Sequence, residues 1–396
     1  MKSIKIRLEL NNEQKTYALQ HCGVARHAWN WGLSICKMAL ENKEKVPSAI
    51  DLHKKLVAEV KSANPWYYEV SKCAPQQSLR DLNTAFTRFF KKIAQFPQFK
   101  KRGQHDSFYT EGTIQIEGNK IKLPKFGWVK MSERLDVLGK DETLTVKNCV
   151  VSRTADEWFV SFKVPFIPTK TVKINEIVGV DLGIKTLATL STGETYGNKR
   201  AFKANKRKLR LAQRQVSKKF KKGQKQSNNY KKAVLKVAKI HQKIANIRKD
   251  ALHKLTSDLS KNHAEIVIED LNVKGMSKNR KLSSAILDGG FYEFKRQLTY
   301  KCDWYGSKMT VVDRFYPSSK TCSNCQNIKT DLTLKDRIYK CNSCGFEIDR
   351  DLNAAINLKT KAVSYTVFAC GVSNNQIPIL HREADTVKQE VNCKVA

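Results

Sequence analysis

The stretch IVGVDLG at residues 177–183 decides the fold that we expect for the second half of the chain. Its apolar run ends on a carboxylate, Asp181, and a second apolar run at residues 187–190 precedes a Ser-Thr-Gly turn. This pattern predicts a β-hairpin whose first strand is buried. A further run, EIVIEDL at residues 265–271, is apolar without alternation and also ends in acids. Continuous hydrophobicity of this kind is typical of a strand that is covered on both faces in a parallel sheet.

Three carboxylates lie at the ends of these predicted elements: Asp181, Glu269 and Asp351. Such oxygen ligands hold Mg²⁺ or Mn²⁺, and two ions about 4 Å apart activate water and stabilise the leaving oxygen of a phosphodiester. Taken singly, each acid has an ordinary explanation as a turn residue, a solvent-facing acid or a helix N-cap, and Asp270 and Asp349 are alternatives. Taken in order, the predicted elements follow the ribonuclease-H plan, which indicates a catalytic site.

Four of the eleven cysteines have the spacing of a metal site. Two residues separate Cys322 from Cys325 and Cys341 from Cys344, and fifteen residues lie between the pairs. Two such pairs close a tetrahedral thiolate site, which predicts one structural Zn²⁺, with an iron–sulfur cluster as the alternative. The other seven cysteines show no paired spacing, so we expect a reducing, cytoplasmic compartment.

The charge of the chain points to a nucleic-acid partner. The 396 residues contain 73 Lys and Arg against 37 Asp and Glu, a net charge of +36, and a solvated basic surface is the alternative explanation. Residues 199–249 hold 20 Lys and Arg and no acid, with apolar residues at helical spacing and a break near Gly223. We expect a basic helical hairpin that follows a phosphate backbone. Its candidate contacts are Lys206, Arg207, Arg210 and Arg214.

The first part of the chain carries two further patterns. Residues 2–9 alternate charged and apolar side chains, as strands do, whereas residues 13–90 have helical spacing. Residues 108–165 contain short alternating runs separated by Gly and Pro, which are typical of a small β-barrel or sandwich. The N-terminus shows no secretory signal and the chain has no run of 18 apolar residues, so no membrane span is expected.

Several motifs in order resemble the TnpB proteins, which transposons encode and which are related to the type V CRISPR effectors. The resemblance covers most of the chain and rests on FPQFK at residues 96–100, LPKFG at 123–127, GVDLGI at 179–184, IEDL at 268–271, YPSSKTCS at 316–323 and DRDLNAAIN at 349–357. One position departs from the family pattern, because Gln326 follows the first cysteine pair where the family commonly has Gly. We expect an altered turn there.

The resemblance implies a multidomain α+β fold. Its parts are a β-barrel wedge domain with an inserted helical recognition domain, then a RuvC-like ribonuclease-H domain with an inserted zinc ribbon. The implied boundaries are 1–10 and 98–175 for the wedge domain, 11–97 for the recognition domain, 176–315 and 347–365 for the nuclease domain, 316–346 for the ribbon and 366–396 for a flexible tail.

The resemblance also implies a function. The chain would bind a guide RNA from the end of its transposon and cut double-stranded target DNA beside a short adjacent motif, with base pairing reading the sequence. The family's catalytic triad falls on Asp181, Glu269 and Asp351, because its third acid stands two residues before an Asn, here Asn353. A monomeric, nucleoid-associated ribonucleoprotein is the expected assembly.

Three other functions stay open at the level of sequence. A guide-directed repressor would bind without cutting and would lack one of the acids, whereas a DNA-strand transposase would share the ribonuclease-H plan. The third is a simple guide-free nucleic-acid-binding protein.

We expect a small set of polar residues to read the adjacent motif. The alternative explanation is that these side chains are polar only because they face solvent. Two members of the set, Lys72 and Gln76, are one helical turn apart and could enter a groove together. The set is Lys72, Gln76, Gln77, Tyr109 and Thr110.

Overall fold

The computed structural model describes residues 1–135, 143–168, 170–333 and 336–369. The chain divides into two compact units. The first contains Met1–Ile167 and Lys221–Gln242, and the second contains Pro168–Phe220 and the chain from Lys243 onward.

The first unit combines a β-barrel with three helices. Its elements in chain order are β1 (Lys2–Glu9), α1 (Asn12–Glu41), α2 (Ala49–Lys55), α3 (Cys73–Phe90), β2 (Ser107–Glu117), β3 (Lys120–Leu123), β4 (Gly127–Met131), β5 (Thr143–Thr154) and β6 (Glu157–Val164). A π-helical turn, Leu56–Lys61, follows α2, and a 3₁₀ turn, Pro65–Tyr67, precedes α3.

The six strands close into a barrel in the order β1-β4-β3-β2-β5-β6. Buried and partly exposed residues alternate along the strands of this barrel. In β6, Trp158, Val160 and Phe162 are at most 3% exposed, whereas the residues between them are partly exposed. Side chains at every second position of a strand point to one face, so an alternating sequence fills the interior of a barrel. The predicted barrel-or-sandwich segment is therefore a closed barrel.

The helices of the first unit pack through a buried apolar stripe on α3. Leu79 and Leu82 are fully buried, and they approach Gly32 of α1 so closely that a Cβ there would lie 2.8 Å from Leu79. Helix α1 begins at a capping box in which Asn11 and Gln14 bond each other's backbone N–H. A cap and a small residue at the crossing thus fix the start of α1 and its distance from α3.

The second unit contains the remaining elements. They are β7 (Asn175–Leu182), β8 (Thr186–Leu190), β9 (Thr195–Gly197), α4 (Ala201–Lys219), α5 (Asn228–Asn262), β10 (His263–Glu269), α6 (Val273–Met276), α7 (Ser283–Gly289), α8 (Phe291–Tyr305), β11 (Lys308–Val312), β12 (Ile338–Lys340), β13 (Glu347–Asp349) and α9 (Arg350–Ala369). The first part of α5 belongs to the other unit.

Five of these strands form one sheet in the order β11-β10-β7-β8-β9. Strand β10 runs parallel to both β7 and β11, whereas β8 is antiparallel to β7 and β9. Ile266 and Ile268 pack with α5 and α8 on one face, and Val267 packs with Leu358 of α9 on the other. The unbroken apolar run of β10 is therefore covered on both faces, as predicted.

Two segments depart from the domain boundaries expected from the sequence. Residues Lys221–Gln242, expected within 176–315, group with the first unit, where Lys239 forms a 2.7 Å ion pair with Asp156. Helix α9 continues to Ala369, past the expected start of the tail at residue 366. Residues 370–396, the rest of the predicted flexible tail, lie outside the described residues. No helix within the described ranges is long and apolar enough to cross a membrane.

Candidate active site and cysteine cluster

Two acids meet at one edge of the five-stranded sheet. In the parallel pair of β7 and β10, Ile268 lies opposite Val180, so the next residues, Glu269 and Asp181, lie side by side at the ends of the two strands. Parallel strands end at the same edge, which is where sites in open sheets commonly form. The hairpin pattern and the buried run of the sequence thus bring together two acids that are 88 positions apart.

The third acid reaches this edge because α9 packs directly on β7. At Gly179 a Cβ would lie 2.0 Å from the carbonyl oxygen of Ala355 and 2.8 Å from the backbone nitrogen of Lys359. Gly179 and Asp181 share one face of the strand, and Asp351 lies one helical turn before Ala355. The glycine of the GVDLGI motif therefore lets α9 come close enough to place Asp351 beside Asp181.

The electrostatics of the three acids indicate a crowded anionic site. Burial, followed by the negative charges of Asp351 and Glu269, raises the pKa of Asp181 to about 7. The pKa of Glu269 is also raised, first by burial and then by Asp270. Across the residues that the structure describes, neither Asp181 nor Glu269 has an ion pair or a hydrogen bond to its carboxylate. A cation bound there would relieve this repulsion and release a proton.

The two alternative acids have structural partners instead. Asp270 lies 2.9 Å from the Nζ of Lys295 and also pairs with Arg314, and these bonds hold the pKa of Asp270 below its usual range. Asp349 accepts the backbone N–H groups of Asp351 at 2.9 Å and Leu352 at 3.1 Å, so Asp349 is the N-cap of α9.

The acids line an open pocket of about 700 Å³ that also carries basic and aromatic residues. Arg350 lies 3.5 Å from Asp351 and donates to the carbonyl of Thr333. The other cations of the lining are Lys185, Arg314, Lys320 and Arg337. Sequence reasoning missed these cations and the exposed Phe315 on the same pocket. Two of the cations had a signal, since Arg350 stands between the two acids of the DRD motif and Lys320 lies in the YPSSKTCS motif.

The four cysteines come together as their spacing predicts. Their Sγ atoms all lie within 4.8 Å of one another, with Cys322 3.8 Å from Cys344 and Cys325 3.5 Å from Cys341. A tetrahedral Zn²⁺ with bonds of about 2.3 Å needs sulfur atoms about 3.8 Å apart, so the cluster fits this ion. Among the described residues it is the one group of three or more such ligands gathered closely enough to hold a metal. The carboxylates of the pocket are more widely spaced.

Backbone N–H groups donate to the first cysteine of each pair in the same pattern. Cys322 accepts from Asn324 and Cys325, and Cys341 accepts from Ser343 and Cys344. These donors lower the pKa of Cys341 to about 6, whereas burial raises the pKa of Cys322 to about 12. The shared turn geometry is typical of a zinc ribbon.

The turns after the two pairs differ in one residue. Gly345 has φ +71° and Gln326 has φ +62°. The backbone N–H of Gly345 donates to the carbonyl of Cys341 at 3.2 Å, and that of Gln326 donates to the carbonyl of Cys322 at 2.9 Å. Both positions are left-handed, which glycine adopts without penalty and glutamine does not. The departure at Gln326 is thus a strained residue in an otherwise unchanged turn.

Two buried asparagines of α9 connect the cysteine cluster to the acids. Asn353 donates to the carbonyl of Thr321 at 2.7 Å and accepts the N–H of Ser323 at 3.0 Å, and Asn357 donates to Ser318 and Thr321. The two asparagines are one turn apart, so they hold the loop that enters the cluster against the helix that carries Asp351. This explains their spacing in the DLNAAIN motif.

The predicted nucleic-acid contacts fall into two groups. Lys206, Arg207, Arg210 and Arg214 are all exposed on α4. In the first unit Lys72 is exposed, Gln76 is half-buried, and Gln77, which donates to Asp81, lines a cleft of about 120 Å³ with Tyr109. The Tyr109 hydroxyl donates to Glu111, whereas Thr110 is only 1% exposed and its hydroxyl has no partner within the described ranges.

Family models match three parts of the chain. An IS605 OrfB model described as "Probable transposase" matches residues 150–280, and one described as "Cas12f1-like, TNB domain" matches 291–358. A third, described as "Helix-turn-helix domain", matches 1–45. In this region the chain forms a strand, Lys2–Glu9, and the single helix Asn12–Glu41.

Solved structures share the fold. A Cas12f1–sgRNA–target DNA complex aligns with a TM-score of 0.53 and 14% identity, covering 87% of this chain and 83% of that chain. The mini-RNA-guided endonuclease CRISPR-Cas_phi3 aligns with a TM-score of 0.52 and 11% identity, covering 91% and 92%. At these identities the likeness concerns the fold alone.

Two relatives cover 94% and 76% of the chain. The Escherichia coli K12 protein named "Putative RNA-guided DNA endonuclease InsQ" is 35% identical over 393 residues, or 94% of each chain. A Streptomyces pristinaespiralis protein named "Putative RNA-guided DNA endonuclease" is 38% identical over 76% of this chain and 74% of its own. With the OrfB model matched across β7 and β10, this chain belongs to the TnpB family.

Proposed function

We propose that this protein is an RNA-guided DNA endonuclease encoded by an insertion-sequence transposon. The observation that carries the proposal is the pocket in which Asp181, Glu269 and Asp351 converge from a hairpin, a parallel strand and a helix. A repressor that binds without cutting does not need three acids gathered in one pocket, where burial, followed by the charges of Asp351 and Glu269, raises the pKa of Asp181. The intact set therefore favours a nuclease over that alternative.

The relatives support the same activity and its partners. Both carry the name "Putative RNA-guided DNA endonuclease", and a structural neighbour is a Cas12f1 complex with sgRNA and target DNA. Carried to this chain, the likeness gives a guide RNA from the transposon's end and a double-stranded DNA target beside a short motif. In such systems base pairing reads the target and the protein reads shape and the short motif. A transposase that joins strands is not favoured by these names.

The acids would hold the divalent metal. The donor set is three carboxylates, which suits Mg²⁺ or Mn²⁺, and the unpaired Asp181 and Glu269 are available as ligands. When bound there, a pair of such ions activates water and stabilises the leaving oxygen of the phosphodiester. Lys185 and Arg337, both exposed on the pocket, would hold the phosphates of the strand, and Arg350 would orient Asp351.

The domains take the roles that the resemblance implies. The sheet of β7–β11 with α9 would be the RuvC-like nuclease domain, and the cysteine cluster would be a structural zinc ribbon that holds the loop against α9. The barrel would be the wedge domain and α1–α3 the recognition domain. We propose one copy of the chain per ribonucleoprotein.

Plasmid cleavage tests the proposal. The chain is co-expressed with RNA from the flanking locus, purified and incubated with Mg²⁺ and plasmids that carry the target beside randomised flanks. We expect guide-dependent cutting with a flank preference. Asp181→Asn and Asp351→Asn should lower the rate at least 100-fold while guide binding stays intact. Tight binding without cutting would favour the repressor, and loss of RNA binding in Asp181→Asn would refute its assignment.

Asp349 offers a matched control two residues from Asp351. Serine accepts the same N–H bonds at a helix N-cap, so Asp349→Ser should keep α9 in place and retain cleavage. If Asp349→Ser abolished cleavage as completely as Asp351→Asn does, the third acid would be misassigned.

A further inference from the structure

An aromatic side chain stands exposed on the pocket of the three acids. Phe315 is 84% exposed and lines the same pocket as Asp181, Glu269 and Asp351. Single exposed apolar residues are common on protein surfaces and need no explanation by themselves. Here the position is distinctive, because β11 pairs with β10 at Glu269 and Phe315 follows three residues after the paired Val312.

The turn that carries Phe315 is held on both sides. Asp313 accepts the backbone N–H of Phe315 on its side chain at 2.8 Å and that of Tyr316 on its carbonyl at 3.1 Å. Arg314 is fixed by its ion pair with Asp270, and the hydroxyl of Tyr316 donates to the carbonyl of Asn357 of α9. Arg314 and Tyr316, on the two sides of Phe315, are thus tied to β10 and α9, whereas the phenyl ring of Phe315 stands 84% exposed.

The chemistry of the pocket suggests what covers this ring. Exposed aromatic rings in basic grooves bind single-stranded nucleic acid because every base has a face that stacks on them. Lys185 and Arg337 supply charge for phosphates, and Met276 and Leu282 supply further apolar surface in the same lining. A base inside a duplex already stacks on its neighbours, so the ring is accessible only to an unpaired base.

We infer that Phe315 is a positioning residue that stacks on one unpaired base of the DNA strand next to the scissile phosphate. This inference rests on the proposed function. Stacking sets the register of the strand, so that one phosphate rests at the three acids while its neighbours contact the cations of the pocket. The contact is tolerant of sequence, because stacking reads the face of a base and not its hydrogen-bonding edge.

An abasic scan combined with variants tests the inference. Single abasic sites are moved through the three nucleotides on each side of the cut, and single-turnover cleavage is measured with the full ribonucleoprotein. At one position we expect the wild type to slow about tenfold, the size of one lost stacking contact. Phe315→Ala should slow cleavage of the intact strand by a similar factor and should be insensitive to that abasic site.

Matched variants separate stacking from simple apolar contact and from damage to the fold. Phe315→Trp should cut at the wild-type rate, whereas Phe315→Leu should behave like the alanine variant. Tyr292→Ala removes another exposed aromatic ring, 71% exposed on α8, and should have no effect. Wild-type rates in Phe315→Ala or Phe315→Leu, or unchanged abasic sensitivity in Phe315→Ala, would overturn the inference.

A binding measurement keeps this inference distinct from the proposed function. A single-stranded oligodeoxynucleotide containing 2-aminopurine is titrated onto the ribonucleoprotein, and the fluorescence of the base is followed. Stacking on Phe315 predicts a change that Phe315→Ala loses and Asp181→Asn keeps. If Phe315→Ala loses the fluorescence change and Asp181→Asn keeps it, but the wild type never cuts, the nuclease activity is refuted and the stacking site is retained. A fluorescence change that is the same in Phe315→Ala would refute the stacking site alone.

Discussion

Gln326 holds a strained backbone conformation in the turn beside the cysteine cluster. Its φ of +62° matches the +71° of Gly345 in the second turn, and a residue with a Cβ in this region costs about 1–2 kcal/mol. Gln326→Gly should therefore stabilise the zinc-bound ribbon by about 1 kcal/mol, or about fivefold in zinc affinity, measured by competition with a chelator.

The second turn supplies the reverse experiment. A Cβ at Gly345 meets no atom within 4 Å, so Gly345→Ala adds backbone strain without a clash. It should weaken zinc retention by a similar factor. Equal zinc affinity in the wild type and in Gln326→Gly would mean that the turn does not limit the stability of the cluster.

We expect His21 to make the first unit sensitive to acid. It is fully buried, it donates from Nδ1 to the carbonyl of Tyr17, and its Nε2 accepts the N–H of Ser71. Burial lowers the pKa of His21 to about 4. The unfolded chain therefore takes up a proton near pH 6.5 that the folded chain refuses until about pH 4. Stability is complete above pH 6.5 and should fall by about 2 kcal/mol between pH 7 and pH 5.

Hydrogen exchange of the segment around Ser71 measures this effect, after correction for the intrinsic rate at each pH. In His21→Gln the amide oxygen can accept the same N–H but does not titrate, so protection should become independent of pH in this range. The same loss of protection at pH 5 in His21→Gln would assign the acid sensitivity to another group.

At the scale of elements, Gly179 is where β7 and α9 meet. A methyl group there would lie 2.0 Å from a backbone oxygen, and backbone atoms cannot rotate away as a side chain can. Gly179→Ala should shift α9 and Asp351, lowering cleavage at least 100-fold and stability by about 1–3 kcal/mol. Gly197 of β9 is the control, since a Cβ at that position has no neighbour within 4 Å. Equal activity in the two alanine variants would show that α9 need not touch β7.

The elements that the sequence predicted best are those whose pattern is local. The runs at 177–183 and 265–271 are strands β7 and β10, and the apolar residues at helical spacing in 199–249 lie in helices α4 and α5. The cysteine cluster followed from spacing alone, because two short turns suffice to build it.

The features that the sequence did not reveal depend on contacts between distant segments. No sequence pattern near Lys239 predicts its ion pair with Asp156, which lies 83 positions earlier in the chain. The exposure of Phe315 is likewise invisible, because an isolated Phe after a strand is more often buried than exposed. The roles of Asp349 and Asp270 were left open for the same reason, since only the N–H groups of α9 and the cations Lys295 and Arg314 distinguish them from Asp351 and Glu269.

At the scale of the whole molecule, the net charge of +36 should govern binding of RNA of any sequence, and the acid-free basic stretch should carry much of it. Changing Lys206, Arg207, Arg210 and Arg214 to Gln should lower the slope of log affinity against log salt by about 3, since each contact to a single strand contributes about 0.7. Anisotropy titrations of the free chain with an arbitrary single-stranded RNA measure this slope.

The matched control changes Lys43, Lys45, Lys54 and Lys55 to Gln. These residues are exposed but interspersed with Glu44 and Asp51, so the control should change the slope much less. Equal slopes in the two quadruple variants would mean that total charge, and not the face of α4, holds the RNA.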